Sequence, residues 1–139
     1  LFVAGFIGSP SMNFFPAKIV KSGEKIIVDT GDFKVQIPDE LTGPYKGLDG
    51  RSVIFGIRPE NIHDPEFAPS NIRGEKVSAK VDVTELMGNE TLLYLLSGKN
   101  IFVGRVDPRS HLRVGNQPDM IFDMGKFHVF DATTEEAIR

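Results

Sequence analysis

Beyond its first eight residues, this chain carries its hydrophobic residues in short segments that alternate with polar ones and end in turn signals, and nowhere shows the period of a helix of credible length. Phe15, Ala17 and Ile19 share one face of an extended segment, Ser22-Gly23-Glu24 turns the chain, and Lys25 to Asp29 forms a second strand. After a turn at Thr30-Gly31-Asp32, Phe33, Val35 and Ile37 point inward and Lys34 and Gln36 outward. Pro38 to Gly50 is an irregular crossing with one helical turn at Asp39 to Leu41. In Ser52 to Ile62, Val53 and Phe55 lie on one face and Ile54 and Gly56 on the other, which predicts a strand buried on both sides.

His63 to Ile72, with Pro65, Pro69 and Asn71, reads as a surface loop. Lys76 to Thr84 predicts one strand with Val77, Ala79, Val81 and Val83 facing in. Thr91 to Leu96 reads as a central strand, and Ser97 to Asn100 as a hairpin turn into Ile101 to Val106. Met120 to Phe122 and Phe127 to Phe130 make a last pair, and the tail TTEEAIR is at most a frayed helical turn. About nine or ten short strands without a helix must close or sandwich their sheet, because open edges invite aggregation; the expected fold is all-β, a Greek-key barrel of the OB type.

The 139 residues suit one domain that can bury a real core, and the absence of cysteine means no disulfide holds it. A net charge of -3 argues against binding to phosphate backbones, which rests on clustered Lys and Arg. No apolar run approaches the roughly 20 residues needed to cross a bilayer, and Leu1 to Gly8 lacks the features of a signal peptide. The chain opens on LFVAGFIG, where Phe2 and Phe6, and Val3 and Ile7, have the i, i+4 spacing of one helix face. Two readings stand there: the last turns of a helix from a preceding domain, or an unstructured end. The apolar groups from Phe2 to Phe15 either pack beneath the barrel or face an absent domain.

Chemistry is sparse. There is no G-x-x-x-x-G-K-[ST] loop, no G-x-G-x-x-G and no G-x-S-x-G elbow. His63, His111 and His128 stand apart without partners at metal-ligand spacing, and Ser110-His111, the one adjacent nucleophile-base pair, lies in a loop bracketed by prolines. Asp64, Glu66, Glu135 and Glu136 read as solvated charge. Eleven Phe against two Tyr and no Trp point to core rather than to a base-stacking platform. At the end of the central strand Pro59 pushes Arg58 into an extended conformation and stops the strand, which predicts an internal ion pair between Arg58 and Glu60.

Three stretches combine into a resemblance: FVAGFIGSPSMNF at Phe2 to Phe14, GIRPENI at Gly56 to Ile62 and ELMGNETLLY at Glu85 to Tyr94, with HVFD at His128 to Asp131 in support. In order and spacing they resemble the C-terminal (TOBE) domain of ATP-binding subunits of carbohydrate ABC importers, the family that serves maltose, multiple-sugar and glycerol-3-phosphate uptake. The resemblance implies an OB-type regulatory barrel at residues 14–139 behind a junction at residues 1–13, which would lead from a missing nucleotide-binding domain. ATP and Mg would belong to that domain, so this fragment is expected to hold no cofactor and to catalyse nothing. The implied partners are a second copy in a homodimer, the nucleotide-binding domain, the importer's membrane subunits and a regulatory protein, with no nucleic acid; the implied location is the cytoplasmic face of the cell membrane.

The residues on which the resemblance rests are Phe6, Gly8, Ser9, Pro10, Asn13 and Phe14 at the junction, Arg58, Pro59 and Glu60 at the corner, and Gly88, Asn89 and Glu90 at the turn. A symmetric dimer uses one patch twice, and exposed groups near the corner and the turn are its candidates. Two readings remain open for them. Arg58 and Glu60 either brace the strand end or face a partner, and Gly88 and Asn89 either form the turn with φ above zero or contact a ligand. A rival expectation is an oxyanion sensor like the barrels of molybdate importer ATPases, although the T-S-A-R-N type of segment is lacking here. Oligonucleotide binding is the third and rests on fold analogy alone.

Overall fold

The computed structural model describes residues 11–139. β1 (Asn13–Ser22) is the longest strand and joins two neighbours: Asn13 to Lys18 pair with β4 (Ser52–Ile57), and Lys18 to Ser22 pair with β2 (Lys25–Asp29). With β3 (Lys34–Ile37) and β11 (His128–Asp131) they form an antiparallel sheet in the order β11-β4-β1-β2-β3. A second sheet has the order β5-β10-β6, from β5 (Ile62–His63), β10 (Asp119–Asp123) and β6 (Gly74–Ser78). The third is β7 (Lys80–Met87), β8 (Glu90–Ser97) and β9 (Asn100–Val106), with β8 in the middle.

The three sheets close on one core of phenylalanines. Phe15 of β1, Phe55 of β4, Phe102 of β9 and Phe122 of β10 are fully buried, and Phe33 joins them from the turn before β3. Phe15 meets Phe33 at 5.1 Å and Phe102 at 5.4 Å, and Phe102 meets Phe122 at 5.5 Å, each edge to face. That arrangement puts the positive ring edge on the negative ring face. The expectation of an all-β OB-type barrel with phenylalanine as core holds.

Three details differ. The predicted strand at Lys76 to Thr84 is two strands: β6 pairs with β10 and β7 with β8. At the break Ala79, and then Val81 of β7, donate their N–H groups to the carbonyls of Pro118 and Asn116 in the loop before β10. The register then slips between Val81 and Val83, a bulge that leaves Val83 half-exposed rather than facing in. Together with the two-residue β5, this split brings the described strands to eleven. A second 3-10 turn, Gly43–Tyr45, follows the one at Asp39–Leu41. Finally, the tail is no frayed turn: it folds back on β11, with Asp131 donating to Glu136 and Ile138 to Val129.

Asp131 anchors that tail. One carboxylate oxygen accepts the N–H groups of Thr133 and Thr134 at 2.8 and 2.9 Å, and the other meets Arg51 at 2.6 Å. The two backbone donors first, and then Arg51, hold this carboxyl below its ordinary pKa. A lowered carboxylate stabilises the fold above its unfolded pKa, about 3.9, and that contribution is lost as pH falls through the lower folded value. Thermal melts as a function of pH should therefore show the native chain losing stability below about pH 4 more steeply than Asp131→Asn does; parallel curves would show that Asp131 is not the group responsible.

Candidate functional site

β4 lies between β1 and β11, so its backbone is bonded on both sides, and Val53 through Ile57 are buried. Gly56 sits in a tight space: a Cβ would come within 2.7 Å of the Met12 sulfur, so that side chain would have to move, and within 3.3 Å of the Phe130 ring. Beyond Ile57, Arg58 is extended at φ -76 and ψ 149 because Pro59 follows it, and Pro59–Asn61 make a 3-10 turn closed by Asn61 N–H donating to the Arg58 carbonyl at 2.9 Å.

That turn decides where the charges go. In a 3-10 turn successive side chains step about a third of a circle apart, so residues two apart do not face each other. The expected pair between Arg58 and Glu60 accordingly does not form. Arg58 instead lies 3.5 Å from the Ser11 carbonyl. Glu60 Oε1 lies 3.7 Å from Nη1 of Arg105 on β9, and the Nε of the same guanidinium is 3.2 Å from Glu90 Oε2. The second contact is an ion pair rather than a hydrogen bond, because the buried Nε–H is not directed at the oxygen. One arginine thus ties the corner after β4 to the turn before β8. Its local signal was a lone cation in the otherwise uncharged NIFVGRV. With all three side chains a third to a half exposed, the network contributes about 0–1 kcal/mol, so it orients this surface more than it stabilises the fold.

Gly88 sits at the hairpin tip with φ +65 and open space where a Cβ would be, so it is conformation that favours glycine there. Asn89, expected to share a positive φ, does not have one. The tip is apolar as well as charged: Leu86 is 78% and Met87 50% exposed. On β11, which flanks β4, His128 stacks on Phe130, which meets Phe14 edge to face at 6.0 Å. Burial first, then Arg58 and Arg139, lowers the His128 pKa. Pro59 is buried under the corner.

Asn13 is a joint. Its Nδ2 donates to the carbonyls of Ile57 at 3.2 Å and Val103 at 2.9 Å, and its Oδ1 accepts the Val103 N–H at 2.9 Å, so one buried amide links β1, β4 and β9. Phe6, Gly8, Ser9 and Pro10, and with them most of the junction at residues 1–13, lie outside the described residues.

The Ser110-His111 pair is not a nucleophile and its base. Ser110 Oγ donates to Asp64 Oδ2 at 2.6 Å, both buried, while His111 Nδ1 lies 3.0 Å from Glu66 Oε1. Among the described residues no three His, Asp or Glu side chains gather where a metal could bind, and no helix is long and apolar enough to cross a membrane. What this surface offers is contact: an apolar tip beside a charged cluster.

Residues 8–62 match the family model described as MalK OB fold domain. Over 99% of its length the chain is 45% identical to a trehalose/maltose import ATP-binding protein of Thermococcus litoralis, and over all of it 38% identical to an oligosaccharides import ATP-binding protein of Bacillus subtilis. A multiple sugar-binding transport ATP-binding protein of Streptococcus mutans is 42% identical over 99% of the chain. The chain spans only 36% to 38% of the length of these relatives. Among solved structures, a cytoplasmic molybdate-binding protein superposes with a TM-score of 0.59 over 88% of this chain and 96% of its own, at 11% identity, which shows a shared fold alone.

Proposed function

The chain belongs to the MalK OB fold domain family, whose relatives here are sugar-import ATP-binding proteins, and on that premise we propose that it is the C-terminal regulatory and dimerisation barrel of such a subunit. The observation that carries this reading is the end-to-end match to three sugar-import proteins. The surface agrees with it. Leu86 and Met87 project beside the Glu60, Arg105 and Glu90 network, and an apolar centre with a polar rim is the usual anatomy of a protein interface. In this account the junction at residues 1–13 leads from a nucleotide-binding domain that supplies ATP, Mg and the hydrolytic groups. The barrel itself holds a second copy of the subunit and receives a regulatory protein. The assembly sits on the cytoplasmic face of the membrane against the importer's spanning subunits.

Uptake of labelled sugar tests the reading in cells whose importer carries its full ATP-binding subunit with Leu86→Asp and Met87→Asp in this barrel. Both side chains are at least half exposed, so the fold should lose little. Uptake should fall several-fold, as expected when charges enter an apolar contact whose central residues contribute about 2 kcal/mol or more each. Unchanged uptake at equal protein level would count against a role for this hairpin.

A further inference from the structure

Below the 3-10 turn after β4 lies a cleft of about 600 Å³, walled by that turn and β5, by the loop before β6 and by the turn after β10. Three polar side chains line it with hydrogen-bonding capacity unmet among the described residues. Asn61 is only 8% exposed, yet its side-chain amide bonds to no described group. Asp123 is 5% exposed; its Oδ1 accepts the Gly125 N–H at 3.0 Å, and its Oδ2 has no described partner. The half-buried His63 ring is likewise without one. Their unpaired atoms are not sealed in the core but open onto the cleft, so all three are available to one occupant there.

We infer that this cleft binds a small neutral polyhydroxyl compound, a sugar or polyol of about monosaccharide size. The volume lies within the range of small-molecule sites, roughly 300–1,000 Å³. The chemistry selects the class. Asp123 Oδ2 can only accept from a ligand, while the Asn61 amide can both donate and accept. Burial lowers the His63 pKa, partly opposed by Asp123 and helped a little by Lys126, so near neutral pH this ring too offers one donor and one acceptor. A hydroxyl group both donates and accepts, and two neighbouring hydroxyls can meet the carboxylate and the amide together. A free anion would face Asp123, and a free cation would face Lys126 and Arg73. The inference stands on the cleft and is independent of the importer reading.

The test is a titration of the isotope-labelled chain with glycerol, glucose and maltose, and with inorganic phosphate as an anionic control, following the Asn61 side-chain amide and the His63 ring by NMR. At least one polyol should shift both signals saturably, with phosphate inert. Asn61→Asp and Asp123→Asn should each weaken that binding about 10-fold or more, the loss expected when one hydrogen bond to or from a charged group is removed or set against a like pole. Asp123→Asn keeps an oxygen for the Gly125 N–H, so the turn survives and the variant remains a fair comparison. No saturable shift at up to about 100 mM polyol, well past the millimolar range of a weak site, would overturn the inference. So would a response to phosphate instead, or unchanged affinity in both variants.

Discussion

Phe15→Ala is expected to destabilise the chain by about 3–5 kcal/mol, the range for truncating a fully buried phenylalanine. Phe15 is 1% exposed and is the ring on which the barrel converges: it touches Phe33, Phe55, Phe102 and Phe122, and so joins all three sheets. Removing it takes away both transfer free energy and the edge-to-face contacts, and neighbouring rings held by three separate sheets cannot collapse into the space without moving the strands. Since a domain of this size has about 5–15 kcal/mol to lose, the variant should unfold at a much lower urea midpoint with an unchanged m-value. Ile101→Ala, at a site 71% exposed, should change stability by no more than about 0.5 kcal/mol. A Phe15→Ala cost close to that of Ile101→Ala would mean the rings do not form one core.

Asn13→Ala should cost about 2–4 kcal/mol, for a different reason. The substitution leaves the Val103 N–H and the carbonyls of Ile57 and Val103 without the amide that now meets them, and each buried group so orphaned costs about 1–3 kcal/mol before relaxation or a water restores part. Asn13→Asp is the sharper probe. It keeps the shape and the acceptor for Val103 N–H, but sets a carboxylate oxygen against two carbonyls, so it should be at least as destabilising as alanine at neutral pH. Hydrogen exchange at Val103 should rise in Asn13→Ala by more than at Leu93, deep in the adjacent strand, because only that variant removes the acceptor of the Val103 N–H. If Asn13→Asp were neutral, Asn13 would not be the joint between β1, β4 and β9.

The strands were legible where burial on one face leaves an alternation in the residues. Phe15, Ala17 and Ile19 are buried as their spacing predicts, and so are Val35 and Ile37. Lys76 to Thr84 misled because its alternation runs unbroken through a change of partners at Ala79 and a bulge at Asp82; both depend on what lies opposite, which a single strand does not record. The tail escaped for the same reason, since its bonds go to β11 and Asp131 rather than to itself.

The candidate contact surface was half legible. Glu60 and Glu90 were singled out from their motifs, but not the arginine that joins them: Arg105 is far from both in sequence, and Arg58, two residues from Glu60, was the nearer partner on paper. The geometry of a 3-10 turn made the near partner the wrong one. Asn13 was marked at a junction, but its part in joining strands appears only when Val103 of β9 comes to lie against it.

In the proposed assembly the hairpin at Leu86 and Met87 is a self-contact of the whole subunit, and sedimentation of that full-length ATP-binding subunit measures the contact most directly. The native subunit should form a dimer, and Leu86→Asp with Met87→Asp should weaken the dimer by about 30-fold or more, equivalent to about 2 kcal/mol. A native subunit that stays monomeric, or a double variant that dimerises as tightly as the native one, would contradict it.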